Sequence, residues 1–187
     1  MKMLKRVIAA ALIAALALAL GACGKDISSI DADIPALIEN GRAVELLVYG
    51  DGLNVDSTQK NPIRNVYELV DDERISDKEE FVGEMQKYFT TAQTAVLSVA
   101  AFEGVVEPEG IIRARYVFED GKLYADSEFE FDLKKRTPDY SSIKLKRSNK
   151  YLAEITINMI CEDNTTEEYL ITLKNEDGVW KLDSSVM

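Results

Sequence analysis

The stretch RARYVFEDGKLYADSE, residues 113–128, decides how the second half of this chain folds. Its Asp120-Gly121 pair predicts a two-residue hairpin turn, because both residue types tolerate the positive φ angles that such a turn requires. The inward-facing pairs are then Phe118–Leu123, Tyr116–Ala125 and Ala114–Ser127, and the outward-facing pairs of opposite charge are Glu119–Lys122, Arg115–Asp126 and Arg113–Glu128. Three charge pairs that follow from one turn favour this register.

Alternation of apolar and polar residues continues from this hairpin to the end of the chain and predicts further antiparallel strands. A loop at residues 135–139 and a second at residues 175–178 would connect them. The pairs expected across these strands are Phe129–Leu145, Phe131–Ile143, Glu128–Lys146, Glu130–Lys144, Lys144–Glu154, Glu154–Lys174, Leu173–Trp180 and Ile171–Leu182. We therefore expect a six-stranded antiparallel meander with one charged face and one apolar face.

The first half of the chain carries the helical patterns. Apolar residues after Pro35 predict a helix, with Asn40-Gly41 as a place where it could break in two. Residues 51–62 are predicted to be a loop, and residues 65–70 a short strand. The first half thus supplies helices that can cover the apolar face of the sheet.

Two further helices are predicted between residues 76 and 102. Ser76 and Glu79 have the spacing of a capping box, which marks the start of a helix. Thr91 is a candidate cap for the next helix, which would end at Phe102. The predicted fold class is α+β, with N-terminal helices packed on one face of a curved antiparallel β-meander.

The first 23 residues have the features of an export signal. Three basic residues precede an apolar run at residues 7–22, which is shorter than the roughly 20 residues of a membrane-spanning helix. The run ends in four residues that resemble the lipobox of bacterial lipoproteins, Leu20, Gly21, Ala22 and Cys23. The resemblance implies cleavage before Cys23 and diacylation of that cysteine. An ordinary signal peptide with a chance cysteine and a retained transmembrane helix are the alternatives.

We therefore divide the chain into a lipoprotein signal peptide (residues 1–22), a lipidated cysteine with its tether (residues 23–34) and a single α+β domain (residues 35–187). Two acyl chains hold a protein to a bilayer without any spanning segment. The expected location is extracytoplasmic, on the outer face of the cell membrane, with the lipid on Cys23 as the membrane contact.

Composition narrows the function classes. The chain has 22 basic and 33 acidic residues, and this acidic balance argues against nucleic acid as a partner. It has no histidine, so the commonest general base and metal ligand is missing. Once Cys23 carries lipid, Cys161 has no partner for a disulfide, and its strand parity places it in the core. We expect no enzymatic activity, no cofactor and no metal.

Two groups of residues are candidate binding sites. Small residues among large ones on the inner sheet face predict either a pocket or close helix packing, with helix packing favoured. The pocket residues would be Tyr116, Ala125, Ser127, Tyr169 and Trp180. The basic residues between Lys134 and Lys150 are a candidate contact for anionic surfaces; the alternative is that Lys144 and Lys146 are already matched to glutamates, which leaves mainly a cluster at hairpin tips. Its members are Lys135, Arg136, Arg147 and Lys150.

The order of motifs resembles a known family. The chain contains, in this order, the stretches NVYELV, ISDKEEF, RYVFEDGKLYA and EDGVWKLDSS. Over residues 35–185 it resembles the NTF2-like, cone-shaped α+β domains of Gram-positive bacterial lipoproteins. The DGKL hairpin and the late GVW are also similar to secreted inhibitors of cell-wall DL-endopeptidases. The enzymatic branch of the NTF2-like group implies an aspartate or histidine inside the cone, but no charged residue has inward parity on the predicted strands.

These observations predict a lipid-anchored extracytoplasmic module that binds or positions an envelope protein or cell-wall component. An inhibitor of a cell-wall hydrolase is one alternative. A small-molecule binder or enzyme that uses the cone is the other.

Overall fold

The computed structural model describes residues 33–106, 112–131 and 133–187, which form three helices and ten strands. The predicted signal peptide, lipobox and Cys23 lie outside these residues. The helices are α1 (Ile34–Tyr49), α2 (Lys78–Tyr88) and α3 (Thr91–Phe102). The strands are β1 (Val55–Lys60), β2 (Tyr67–Val70), β3 (Val105–Val106), β4 (Ile112–Arg113), β5 (Tyr116–Glu119), β6 (Lys122–Asp126), β7 (Arg136–Ser148), β8 (Leu152–Cys161), β9 (Thr166–Glu176) and β10 (Val179–Leu182). The α+β class is therefore confirmed.

The strands form separate antiparallel sheets rather than one meander. The first sheet has the order β1-β2-β6-β5, the second has the order β10-β9-β8-β7, and β3 pairs with β4 alone. The prediction of six strands in one sheet is wrong, because the described part of residues 127–135 forms no strand between β6 and β7. The pairs predicted between that segment and residues 143–146 are lost with it.

The hairpin that anchored the sequence analysis is confirmed in its register. Phe118 lies opposite Leu123 and Tyr116 opposite Ala125. The turn residues Asp120 and Gly121 have φ angles of 51° and 74°, as a two-residue turn of this kind requires.

The charged partners of this hairpin differ in part from the prediction. Arg113 is 3.7 Å from Glu128, as predicted, but it also bonds both carboxylate oxygens of Asp126. Arg115 does lie opposite Asp126 in the predicted register, since the Asp126 N–H donates to the Arg115 carbonyl oxygen at 2.8 Å, but the predicted outward-facing charge pair between their side chains is wrong. Glu119 accepts a hydrogen bond from Asn61 at 2.7 Å.

The register of the second sheet is shifted from the prediction. Leu182 lies opposite Leu173 and Trp180 opposite Asn175, because the chain turns at Asp177-Gly178 alone, with φ angles of 53° and 90°. This is the same turn chemistry as at Asp120-Gly121. Register shifts within β7 add to the error: Glu154 lies opposite Arg147 rather than Lys144, and Lys174 lies opposite Leu152.

The first half departs from the sequence pattern in four places. α1 is unbroken, and Gly41 in its middle is buried against Leu182. β1 occupies much of the predicted loop at residues 51–62. The cap of α2 is Asp77 rather than Ser76, since the Asp77 side chain accepts a hydrogen bond from the Glu80 N–H at 2.8 Å. The cap of α3 is Thr90 rather than the predicted Thr91, since the Thr90 hydroxyl accepts a hydrogen bond from the Gln93 N–H at 3.2 Å.

One hydrophobic core joins the three helices to both larger sheets. Its fully buried members include Ile38 of α1, Phe81 of α2, Leu97 of α3, Tyr116 of the first sheet and Ile157 of the second. Among the described residues, no helix is long and apolar enough to cross a membrane.

Candidate functional site

An open cleft among the described residues has a volume of about 1480 Å³. Its walls are the C-terminal end of α1 with the turn that follows, the irregular chain between β6 and β7, and the tip of the β8–β9 hairpin. The described charged residues that line it are Arg42, Arg113, Lys134, Lys135, Arg136, Asp51, Glu128, Glu130 and Glu162. Basic residues thus slightly outnumber acidic ones here, although acidic residues predominate in the whole chain.

Arg42 holds the floor of the cleft together. Its Nη2 donates to the carbonyl oxygen of Arg136 at 2.7 Å, and its Nη1 donates to the carbonyl oxygen of Val186 at 3.0 Å. Arg136 in turn donates from Nε to Glu167 at 2.9 Å and lies over the ring of Tyr169. These bonds tie α1, the start of β7 and the C-terminal segment to one another.

An ion pair with a buried carboxylate lies at the β4 side of the cleft. The side chain of Asp126 is fully buried and accepts hydrogen bonds from Arg113, with 2.8 Å between Nη2 and Oδ1. Asp126 also accepts from the backbone N–H of Glu128 at 2.9 Å, which fixes the start of the irregular segment. The expectation that no charged strand residue points inward is therefore wrong.

Arg115 is a second buried charge. Its exposed fraction is 5 %, and its Nε and Nη1 are buried without a hydrogen-bond partner. The guanidinium lies over the ring of Phe129, 4.8 Å from the centroid, and 5.9 Å from the ring centroid of Tyr116. Gly52, with a φ of +80°, leaves it space, since a Cβ there would lie 2.2 Å from Nη2. Arg115 thus lies directly behind the cleft wall.

The five residues predicted to line a pocket are not brought together. Ala125 lies opposite Tyr116 in the first sheet, and Ser127 is exposed after β6, with Oγ donating to the carbonyl oxygen of Val66 at 2.9 Å. Tyr169 and Trp180 belong to the second sheet. Close packing, which the sequence analysis favoured over a pocket, describes the buried Tyr116 and Ala125.

Tyr116 serves the core and not a binding site in the cleft. Its hydroxyl donates to the carbonyl oxygen of Leu47 at 2.6 Å and accepts from the N–H of Leu53 at 3.0 Å. Burial raises the pKa of this phenol above its ordinary value, and the neighbouring Arg115 opposes that shift. Tyr116 also borders a smaller cleft of about 500 Å³, where Lys78 lies 4.8 Å from the ring centroid of Phe102.

The predicted basic cluster is split between the two ends of β7. Lys135 and Arg136 line the cleft, and Lys135 is 3.8 Å from Glu162. Arg147 and Lys150 lie at the far end of the strand, roughly 35 Å away at the usual rise per residue. Arg147 bonds Glu154 there, and Lys150 lies 4.5 Å from the ring centroid of Tyr151. The four residues are therefore not one surface.

Cys161 ends β8 opposite Arg136, where it is half-buried and lines the cleft. It is a free cysteine. Its predicted place in the core is thus only partly correct, because the strand ends at the rim of the cleft.

Sequence reasoning did not single out Arg42, Arg113, Arg115 or Phe129 as site residues. The signal was weak, because the bend between β4 and β5 breaks the alternation on which inward and outward facing was judged. In the described part of the chain, no group of three or more cysteine, aspartate or glutamate side chains is placed to hold a metal ion. A scan of the sequence against protein-family models finds no match, and a search of curated proteins finds none either.

Proposed function

We propose that this protein is a lipid-anchored, extracytoplasmic binding module of the bacterial cell envelope. The observation that carries the proposal is the sequence Leu20-Gly21-Ala22-Cys23, at the end of a short apolar run and about ten residues before the first helix. Diacylation at Cys23 would hold the domain at the outer face of the membrane. The proposed location follows from this anchor.

The cleft supports a binding role for the domain. It combines charged groups of both signs with the apolar side chains of Leu46, Tyr49 and Phe131, so that it offers polar specificity next to apolar area. Phe131 is 42 % exposed and packs on Tyr49, with 5.2 Å between ring centroids. We propose that the cleft receives the envelope partner, and we retain the resemblance to NTF2-like lipoprotein domains as part of the proposal.

Catalysis is not part of the proposal. The described acidic and basic groups nearest the cleft floor are engaged with each other or with backbone carbonyls, as Arg113 is with Asp126 and Arg42 is with Val186. No histidine is available as a proton carrier. An inhibitor of a cell-wall hydrolase is the second candidate, favoured by the DGKL hairpin at β5–β6, and slower digestion of purified wall in its presence would support it.

The anchor is tested by replacing Cys23 in the full chain. Cys23→Ser is expected to abolish incorporation of labelled palmitate and to release the protein from the membrane fraction. Cys161→Ser is the matched control, because it removes the other cysteine and should leave both properties unchanged. Persistent labelling of the Cys23→Ser protein would refute the lipid anchor.

The binding surface is tested by in-cell cross-linking of the full-length lipoprotein. Phe131→Glu places a charge on the exposed apolar part of the cleft and is expected to remove the cross-linked partner. Ile63→Glu is the control, since Ile63 is 80 % exposed and lies outside the cleft. An identical cross-linking pattern for the two variants would exclude the cleft as the contact.

A further inference from the structure

We propose that the ligand of the cleft carries a carboxylate or phosphate group, and that this group pairs with the buried guanidinium of Arg115. The inference rests on the proposed binding function but not on the lipid anchor. It assigns the chemistry of the ligand and one residue that recognises it.

Arg115 lacks the anion that a buried arginine requires. It is 5 % exposed, and among the described residues no carboxylate oxygen lies within 4.0 Å of its nitrogens. Two of its three guanidinium nitrogens also have no hydrogen-bond partner. A buried charge without a counterion is strongly unfavourable, and a few aromatic contacts recover only part of that energy.

The other buried charge of this region, the Asp126 carboxylate, is paired with a cation. Arg113, two residues earlier, bonds both oxygens of the buried Asp126 carboxylate and approaches Glu128. The Asp126 carboxylate is thus bonded to Arg113, while Nε and Nη1 of Arg115 have no hydrogen-bond partner. This contrast indicates that the counterion of Arg115 comes from outside the domain.

Only a thin wall separates Arg115 from the cleft. The ring of Phe129 lies over the guanidinium at 4.8 Å, and Phe129 is also a lining residue of the cleft. On the other side lies the turn after α1, where Gly50 and Asp51 line the cleft and Gly52 contacts Arg115. Phe129 belongs to the irregular chain between β6 and β7, so rotation of its side chain would expose the guanidinium without breaking a strand.

The surroundings favour an anion at this place. Five of the described cations line the cleft, against four described acidic residues, in a chain whose formal net charge is −11. Arginine recognises planar oxyanions through several charge-assisted hydrogen bonds, which are stronger when water is excluded. A carboxylate or phosphate that displaces the Phe129 ring would therefore be attracted by the basic side chains of the cleft and would accept hydrogen bonds from the Arg115 guanidinium.

The inference is tested by calorimetric titration of the full chain, purified in detergent, at constant ionic strength. The probes are inorganic phosphate, acetyl-alanyl-alanine with its free carboxylate, and acetyl-alanyl-alanine amide as the neutral counterpart. Binding of the carboxylate but not of phosphate indicates a peptide-like ligand, and the reverse indicates a phosphorylated one. In either case the amide should not bind.

Arg115→Met is expected to weaken the binding by at least about tenfold, because the charge-assisted hydrogen bonds of the guanidinium to the anion are lost. Without any anion, its melting temperature should equal or exceed that of the parent protein, because the unpaired buried charge is gone. Lys150→Met removes the same charge at the far end of β7 and should leave the affinity unchanged. Phe129→Ala uncovers Arg115 and should raise the affinity, which provides a second readout if the methionine variant does not fold.

Equal affinity of the parent and Arg115→Met proteins would overturn the inference. So would the absence of binding of either anion at millimolar concentration. If either of these results is obtained while Phe131→Glu still removes the cross-linked partner, only the role of Arg115 is refuted. The proposed binding function of the cleft then stands.

Discussion

Glu45 of α1 accepts a hydrogen bond from the backbone N–H of Val186, with 3.0 Å between Oε2 and the nitrogen. Arg42, one turn earlier, donates to the carbonyl oxygen of the same residue. Two side chains of one helix thus hold both backbone groups of Val186. Both Glu45 and Val186 are fully buried, and Oε1 of Glu45 has no partner.

This arrangement predicts a pH-dependent stability. Burial raises the pKa of Glu45 to about 7, against the opposing effects of the Val186 N–H, the Ser185 hydroxyl and Arg42. Because the folded pKa exceeds the unfolded value, protonated Glu45 contributes its full stabilisation below about pH 4.5, and this is lost as the pH rises through 7. The loss should be on the order of 3 kcal/mol.

The measurement is the free energy of unfolding in urea between pH 5 and pH 8. Glu45→Gln should flatten the curve over this window, since the amide has the same shape but does not ionise. Glu39→Gln is the control, because Glu39 is exposed on the same helix and its replacement should leave the slope as it is. Parallel curves for Glu45→Gln and the parent protein would show that Glu45 is not the titrating group.

Replacing Gly41 of α1 by alanine is expected to destabilise the protein. A Cβ at this position would lie 2.2 Å from Cδ1 of Leu182, a fully buried residue of β10. The overpacking should lower the free energy of unfolding by about 1–3 kcal/mol. Gly83→Ala in α2 is the matched control, since a Cβ there meets nothing within 4 Å and should stabilise the helix by about 1 kcal/mol.

Both substitutions are measured by urea denaturation of the same preparation. A Gly41→Ala protein that is as stable as the parent would mean that α1 and β10 are not in this close contact. A double variant, Gly41→Ala with Leu182→Ala, should recover part of the loss caused by the clash, although the smaller core side chain has its own cost.

Turn chemistry explains how much of the fold the sequence could predict. The β5–β6 hairpin was placed correctly because Asp120-Gly121 determines its own local geometry. The same signal at Asp177-Gly178 falls inside the loop predicted at residues 175–178, and the predicted register of β10 is therefore wrong by two residues. The absence of a strand from the described residues 127–131 and 133–135 could not be predicted, because polar and apolar residues alternate there although no partner strand is present.

The candidate site was harder to predict than the fold. Lys135 and Arg136 were identified from local charge and do line the cleft. Arg42 also lines the cleft, but it is 94 positions from Arg136 in the sequence. The two residues meet through a hydrogen bond from the Arg42 guanidinium to the backbone carbonyl of Arg136, which no sequence pattern indicates. The burial of Arg115 likewise depends on Gly52 and Phe129, which meet it only in the folded state.

The observed register predicts that an exposed ion pair at Arg147, rather than one at Lys144, stabilises the second sheet. Arg147 donates from Nε to Glu154 at 2.6 Å, whereas Lys144 lies opposite the uncharged Thr156. Arg147→Glu should therefore reduce the stability more than Lys144→Glu does, and the difference should shrink in high salt. Melting temperatures at low and high ionic strength measure both effects. A larger loss for Lys144→Glu would restore the register expected from sequence alone.

The Tyr116 hydroxyl is expected to stabilise the turn after α1 and so to raise the free energy of unfolding. It donates to the carbonyl oxygen of Leu47, which is in the last turn of the helix, and accepts from the N–H of Leu53 beyond it. Tyr116→Phe leaves both backbone groups without this partner and should cost about 1–3 kcal/mol in the free energy of unfolding. Tyr151→Phe makes the same chemical change on a side chain that is 63 % exposed, and it should stay within about 0.5 kcal/mol of the parent. Equal effects of the two substitutions in urea denaturation would mean that water replaces the hydroxyl at Tyr116.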